Sequence, residues 1–86
     1  MEVDILIVLE NGLVLNQYVV ANEDTALAQF DEIAENLIDI EDFKYVCTAI
    51  DYGVRLEQVN NYLKHFGHEI IWLSRVEVNE YINELN

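Results

Sequence analysis

Basic residues are scarce in this chain. Only four of its 86 residues are lysine or arginine, against 17 acids, for a formal net charge of −13. A protein that grips phosphates needs a basic footprint, so direct nucleic-acid binding is a poor expectation. Proline is absent and glycine occurs three times, which leaves no proline-rich or glycine-rich linker and one domain over residues 1–86. The single cysteine, Cys47, excludes an intramolecular disulfide and fits a reducing compartment. The longest apolar runs, around Ile5–Leu9 and Ile70–Leu73, fall far short of the ~20 residues of a membrane span. The opening Met-Glu-Val-Asp lacks the basic start of a signal peptide. Serine appears only at Ser74 and histidine only at His65 and His68, so no nucleophile, base and orienting group stand out, and no phosphate loop or paired cysteine ligands occur. An enzyme is not expected, nor a cofactor or a metal.

What is present is apolar and acidic at once. The hydrophobic share is 52%, too high for a disordered acidic tail. The charge is lopsided: residues 1–43 hold 11 acids and no lysine or arginine, whereas residues 44–86 hold six acids and all four basic residues. A net charge of ~2–8 keeps a small domain soluble. The excess here costs self-repulsion, which points to a working anionic surface.

The pattern predicts an α+β fold: a small antiparallel sheet, made of an N-terminal β-hairpin plus a C-terminal strand, with two or three helices packed on it in the order ββα(α)αβ(α). Ile5–Glu10 and Leu13–Val20 flank Asn11-Gly12, the dipeptide of a two-residue hairpin turn. That register sets Leu9 opposite Val14 and Ile5 opposite Tyr18. It makes Val3, Ile5, Ile7 and Leu9 the better core face and leaves Leu6, Val8, Leu13 and Leu15 as an apolar patch for a partner or a second copy. Asn22-Glu23-Asp24-Thr25 starts a helix over about 24–38, with Ala26, Leu27, Phe30, Ile33, Ala34, Leu37 and Ile38 on one face. Residues 42–52 read as helix or strand, with helix favoured because Gly53 would cap its end. A further helix over 55–66 turns Leu56, Val59, Tyr62, Leu63 and Phe66 inward and stops at Gly67. Glu69–Val78 follows as a strand with Ile70, Trp72, Ser74, Val76 and Val78 on one side. A short helix is allowed near Asn79–Leu85.

Two patterns bear on function. Ala49, Gly53 and Val59 have the spacing of a helix-turn-helix, and the second helix would carry Arg55, Gln58, Asn60, Asn61 and Lys64, types that touch bases or phosphates. This supports an alternative reading as a small transcriptional regulator working as a dimer or with a partner. The stronger pattern is acidic. Asp31, Glu35 and Asp39 recur every four residues, about 6 Å apart along a helix, a spacing of the same order as that of phosphates on a DNA strand. Asp24, Glu32, Glu41 and Asp42 widen this stripe.

By size, charge, α+β build and lack of a catalytic set, the chain resembles, at the level of class, the small acidic proteins that phages use against host nucleases, DNA mimics and anti-CRISPR proteins among them. The resemblance includes no diagnostic motif and assigns no residue. It implies a non-enzymatic inhibitor that blocks a basic nucleic-acid-binding site on a host protein, in the host-cell cytoplasm, with no direct nucleic-acid or membrane contact and room for a homodimer. Because like charges repel and salt screens them, the melting temperature is expected to rise between about 0.01 M and about 0.1 M salt. A scanning-calorimetry series with a falling midpoint would show that the acids are already paired.

Overall fold

A computed structural model describes residues 1–78. The helix expected near Asn79–Leu85 lies outside the described residues. Two strands, β1 (Glu2–Glu10) and β2 (Leu13–Val20), are followed by three helices, α1 (Glu23–Leu37), α2 (Ile40–Val46) and α3 (Tyr52–Leu63), then a 3₁₀ turn at Lys64–Phe66 and strand β3 (His68–Glu77). The strands form one antiparallel sheet in the order β2-β1-β3, the α+β arrangement that the sequence predicts. No helix among the described residues is long and apolar enough to cross a membrane.

The hairpin turns as its dipeptide requires: Asn11 and Gly12 both take positive φ, 51° and 83°, which matches the twist of the flanking strands. Leu9 faces Val14 as expected. Beyond that pair the register slips by one residue. A bulge between Val8 and Leu9 sets Val8 against Asn16, Leu6 against Tyr18 and Ile5 against Val19, leaving Leu15 as the extra residue. A second irregularity between Val3 and Ile5 places Ser74 and Arg75 opposite Asp4 and returns Val76 to the side of Val3. Val76 therefore does not share the face of Ile70 and Trp72. Neither extra residue carries a compositional mark, so strict alternation misplaces everything beyond it.

The helices α1, α2 and α3 pack on one side of the sheet, the opposite side from the one expected. Leu6 and Val8 are buried with Ile70 against Phe30, Ile33, Ala34 and Ile38 on the α1 side and Val59 and Leu63 of α3, while Tyr18 and Trp72 are half-buried around them. Leu6 and Val8 are thus core, not partner patch; of that patch only Leu13 and Leu15 are exposed. The β1 sequence is apolar on both faces. The choice between them comes from its neighbours, because Trp72, Ile70 and Tyr18 register with Leu6 and Val8. Val3 and Ile5, on the other face, are buried as well.

Asp4 lies on the helix-bearing face and is 3% exposed. It is tolerated there because both carboxylate oxygens accept hydrogen bonds, Oδ2 from the Trp72 indole N–H at 3.0 Å and Oδ1 from the Arg75 backbone N–H at 3.1 Å. Arg75 has φ of 54°, a left-handed backbone that the Asp4 contact holds in place. The held indole stacks on Phe30, with ring centroids 5.6 Å apart and an interplanar angle of 26°. Asn60 joins α3 to β3 with a two-way amide contact, donating to the Ile70 carbonyl at 2.9 Å and accepting from the Ile70 N–H at 2.8 Å.

Asp4→Asn replaces one acceptor with an amine and leaves a buried donor unmet. The expected loss is about 1–3 kcal/mol, read as a lower urea midpoint with an unchanged slope. Trp72 is the only tryptophan, so its fluorescence reports the transition directly. An unchanged midpoint would show that the contact contributes nothing net.

Candidate interaction surface

The acids expected to form one stripe divide into two groups. In α1, Asn22 caps the first turn through a hydrogen bond from the Thr25 N–H, and the apolar stripe turns Ala26, Phe30, Ile33 and Ala34 into the core. Asp24, Glu32 and Glu35 consequently face solvent. Asp31 sits at the boundary toward α3 and is engaged internally. It accepts from the Tyr52 hydroxyl at 2.6 Å and from the Arg55 guanidinium at 3.0 Å. Arg55 also donates through Nε to the Ala49 carbonyl at 2.7 Å and lies 4.6 Å from the centroid of the Tyr52 ring. Asp31 is therefore a clamp between α1, α3 and the α2–α3 connection, not a free surface charge. Sequence reading missed this because its partners lie 21 and 24 residues away.

The four-residue periodicity also ends early. α1 stops at Leu37, and Ile38 is extended (φ −98°, ψ 134°). Asp39 then begins α2 as its N-cap, accepting from the Glu41 N–H at 3.4 Å, so it does not continue the α1 row. Glu41 and Asp42 fill the first turn of α2, where carboxylates suit the positive end of the dipole. Asp42 accepts from the Tyr62 hydroxyl at 2.8 Å, which ties α2 to α3. What remains is a two-helix surface: Asp24, Glu32 and Glu35 on α1, and Asp39, Glu41 and Asp42 at the start of α2. Asp24 and Glu35 stand roughly 16 Å apart along the α1 axis. The nearest basic side chain in sequence is Lys44, which packs over the Tyr45 ring, 5.1 Å from its centroid.

The same surface carries apolar side chains that the sequence reading did not place there. Beside Glu41 and Asp42, Ile40 is 87% exposed and Tyr45 73%. Glu35, Asn36, Ile40, Phe43 and Lys44 line an open depression where α1 meets α2. Helical spacing cannot find such residues, since α2 is only seven residues long and its apolar positions surround it. Phe66, expected to point inward, is also exposed, because α3 gives way to the 3₁₀ turn before reaching it.

The helix-turn-helix spacing does not become that motif. Ala49 lies in the α2–α3 connection, and Gly53 lies in the first turn of α3 behind the N-cap Asp51 instead of closing α2. The five residues Cys47–Asp51 join the two helices, whereas the motif's turn has 3–4 and contains the glycine. Gln58, one of the proposed base readers, accepts from the Thr48 and Ala49 backbone N–H groups at 3.3 and 3.0 Å. Asn60 is engaged with Ile70 and Arg55 with Asp31.

Among the described residues, no group of three or more His, Cys, Asp or Glu side chains is placed to hold a metal. His65 is exposed in the 3₁₀ turn and His68 opens β3. Cys47 is half-buried, and burial pushes its thiol above its ordinary pKa, which keeps it protonated near neutrality. Comparison with protein-family models, with curated proteins and with solved structures finds no match.

The hydrogen bond to Asp31 raises the Tyr52 hydroxyl above its ordinary value near 10, and the bond to Asp42 does the same to Tyr62. A raised pKa in the folded state stabilises fully below the unfolded value and is lost as pH climbs through the folded one. Stability is therefore expected to fall from about pH 10 upward. Tyr52→Phe should cost about 1 kcal/mol near neutrality and flatten the alkaline fall without abolishing it, since Tyr62 remains. Urea midpoints at about pH 8 and about pH 11 check this; an equally steep fall in the variant would locate the effect elsewhere.

Proposed function

We propose that the chain is a non-enzymatic binding protein whose anionic α1–α2 surface occupies a basic, nucleic-acid-binding site on another protein. The observation that carries this reading is the exposed carboxylates of Asp24, Glu32, Glu35 and Glu41 beside the exposed Ile40 and Tyr45. Carboxylates steer a basic partner and set orientation. Apolar and aromatic side chains that become fully desolvated supply most of the affinity of such contacts. The combination suits a protein target with a basic groove better than it suits a solvated face. The charge excess over solubility needs supports the same reading.

The partner is then a basic nucleic-acid-handling protein, and the mode is competition with its nucleic acid. An inhibitor of host defence of the kind phages use, DNA mimic or anti-CRISPR, is the biological role that best fits a small acidic competitor. The regulator reading finds less support, since its three key positions do not form the motif.

Capture from a host lysate at low and at high salt, with mass spectrometry of what elutes, tests the reading. The expected catch is a nucleic-acid-handling protein that is released by salt and displaced by duplex DNA. The double reversal Glu32→Lys and Glu35→Lys changes no core contact and is expected to weaken binding by about tenfold. Ile40→Ala is expected to weaken it with little change in salt dependence. Binding to the captured protein that survives the double reversal would falsify the charge-competition mechanism.

A further inference from the structure

Helix α1 ends open. A helix leaves its last carbonyls without an intrahelical partner, and a glycine cap or a basic side chain in the last turn commonly answers them. Neither is present here. The Ala34 carbonyl accepts from the Ile38 N–H at 2.9 Å. Ile38 is extended at φ −98° and ψ 134°, and Asp39 follows at φ −54° and ψ 135°. The chain thus leaves the helical path, and the carbonyls of Glu35, Asn36 and Leu37 lose the N–H groups that a longer helix would supply. The last turn of α1 holds no basic residue, although this end of the dipole favours one.

The depression between α1 and α2 lies at this end. Glu35 and Asn36 line it from α1, and Ile40, Phe43 and Lys44 from α2. Glu35, Asn36 and Ile40 are exposed and Phe43 is half-buried. A carboxylate, an amide and an open helix end therefore stand beside an apolar wall. The cation on the rim does not fill the place. Lys44 makes no ion pair among the described residues and is drawn to the Tyr45 ring instead.

Resting on the anionic-surface reading above, we propose that this depression takes an arginine side chain of the partner protein, which caps α1 from outside. Arginine suits it better than lysine. Its planar fork offers five N–H donors to acceptors spread over a carboxylate and a helix end, where an ammonium is a compact point of charge. The guanidinium is more weakly hydrated, so it gives up less on meeting the Ile40 and Phe43 side chains. Its stem lies along those apolar groups while the head stays polar. Arginines of a nucleic-acid-binding groove hold phosphate oxygens with the same fork. The Glu35 carboxylate and the α1 carbonyls stand in for those oxygens.

Two blocked peptides of equal charge, hexa-arginine and hexa-lysine, test this. Each is titrated into the isotope-labelled full chain at about 0.1 M salt, where the screening length is about 10 Å, and amide chemical shifts are followed. Hexa-arginine is expected to bind about tenfold tighter than hexa-lysine, with shifts centred on residues 35–40. Glu35→Gln is expected to cut that preference to about twofold. Glu57→Gln, an equal loss of charge at an exposed position of α3, is expected to keep it. Both variants are checked for folding by circular dichroism. Equal affinity of the wild-type chain for the two peptides overturns the arginine site; if Glu32→Lys with Glu35→Lys still weakens that binding, charge competition stands without it. An undiminished preference in folded Glu35→Gln, or shifts centred elsewhere, overturns the site as well. Binding of neither peptide overturns both the site and the anionic-surface reading.

Discussion

The aromatic centre of the fold is held from one buried carboxylate. Asp4 holds the Trp72 indole by its N–H, and the oriented indole stacks on Phe30 of α1. Tyr52 of α3 stands edge-on to both rings, 6.0 Å from Phe30 and 6.2 Å from Trp72. Its hydroxyl reaches Asp31, which holds Arg55, which in turn holds the Ala49 carbonyl. One sequence of contacts thus runs from the central strand through both longer helices to the α2–α3 connection. Its two carboxylates are in the interior or at its boundary, where a missing partner is expensive. The other acids of α1 and α2 are free of that task and face solvent.

This division separates what was legible in the sequence from what was not. The elements were readable because each is marked locally: Asn11-Gly12 for the hairpin, Asn22 to Thr25 for the start of α1, Gly67 for the end of the α3 segment. The apolar row of α1 points where its spacing says. The sheet faces were not readable. The run from Ile5 to Leu9 is apolar at every position, so periodicity cannot choose a side. The choice rests on residues more than sixty positions away, such as Trp72 opposite Leu6. The two irregularities at Leu15 and Ser74–Arg75 leave no signal in residue type, yet each moves all later side chains to the other face.

The charged surface was legible as a concentration in the first half and illegible in detail. Glu32 and Glu35 stand where helical geometry puts them. Asp31, the residue before Glu32 and one turn before Glu35, is engaged at the boundary toward α3 by Tyr52 and Arg55. Asp39 leaves the row because α1 unwinds at Ile38. Ile40 and Tyr45, which give the acidic surface its apolar content, look in sequence like any other hydrophobic residues. A sequence count of carboxylates therefore overstates the regularity of the surface and misses its apolar content.

Strand order has a consequence for how the fold is assembled. The central strand β1 pairs on one side with β2, its immediate neighbour, and on the other with β3, through residue pairs that run from Glu10–His68 to Glu2–Glu77. The hairpin can close as soon as its turn is made, but the Asp4–Trp72 contact waits for nearly the whole described chain. Pairings between such distant segments are slow to form. In the interval a newly made chain exposes β1, apolar on both faces, beside an uncharged β2. The next stretch to be made is α1 and the start of α2, which carry eight of the 17 acids and no basic residue before Lys44. Mutual repulsion between unfinished chains then opposes their aggregation during the stage at which the hairpin is least protected. The same carboxylates that face solvent in the finished molecule act earlier as a safeguard for the growing one.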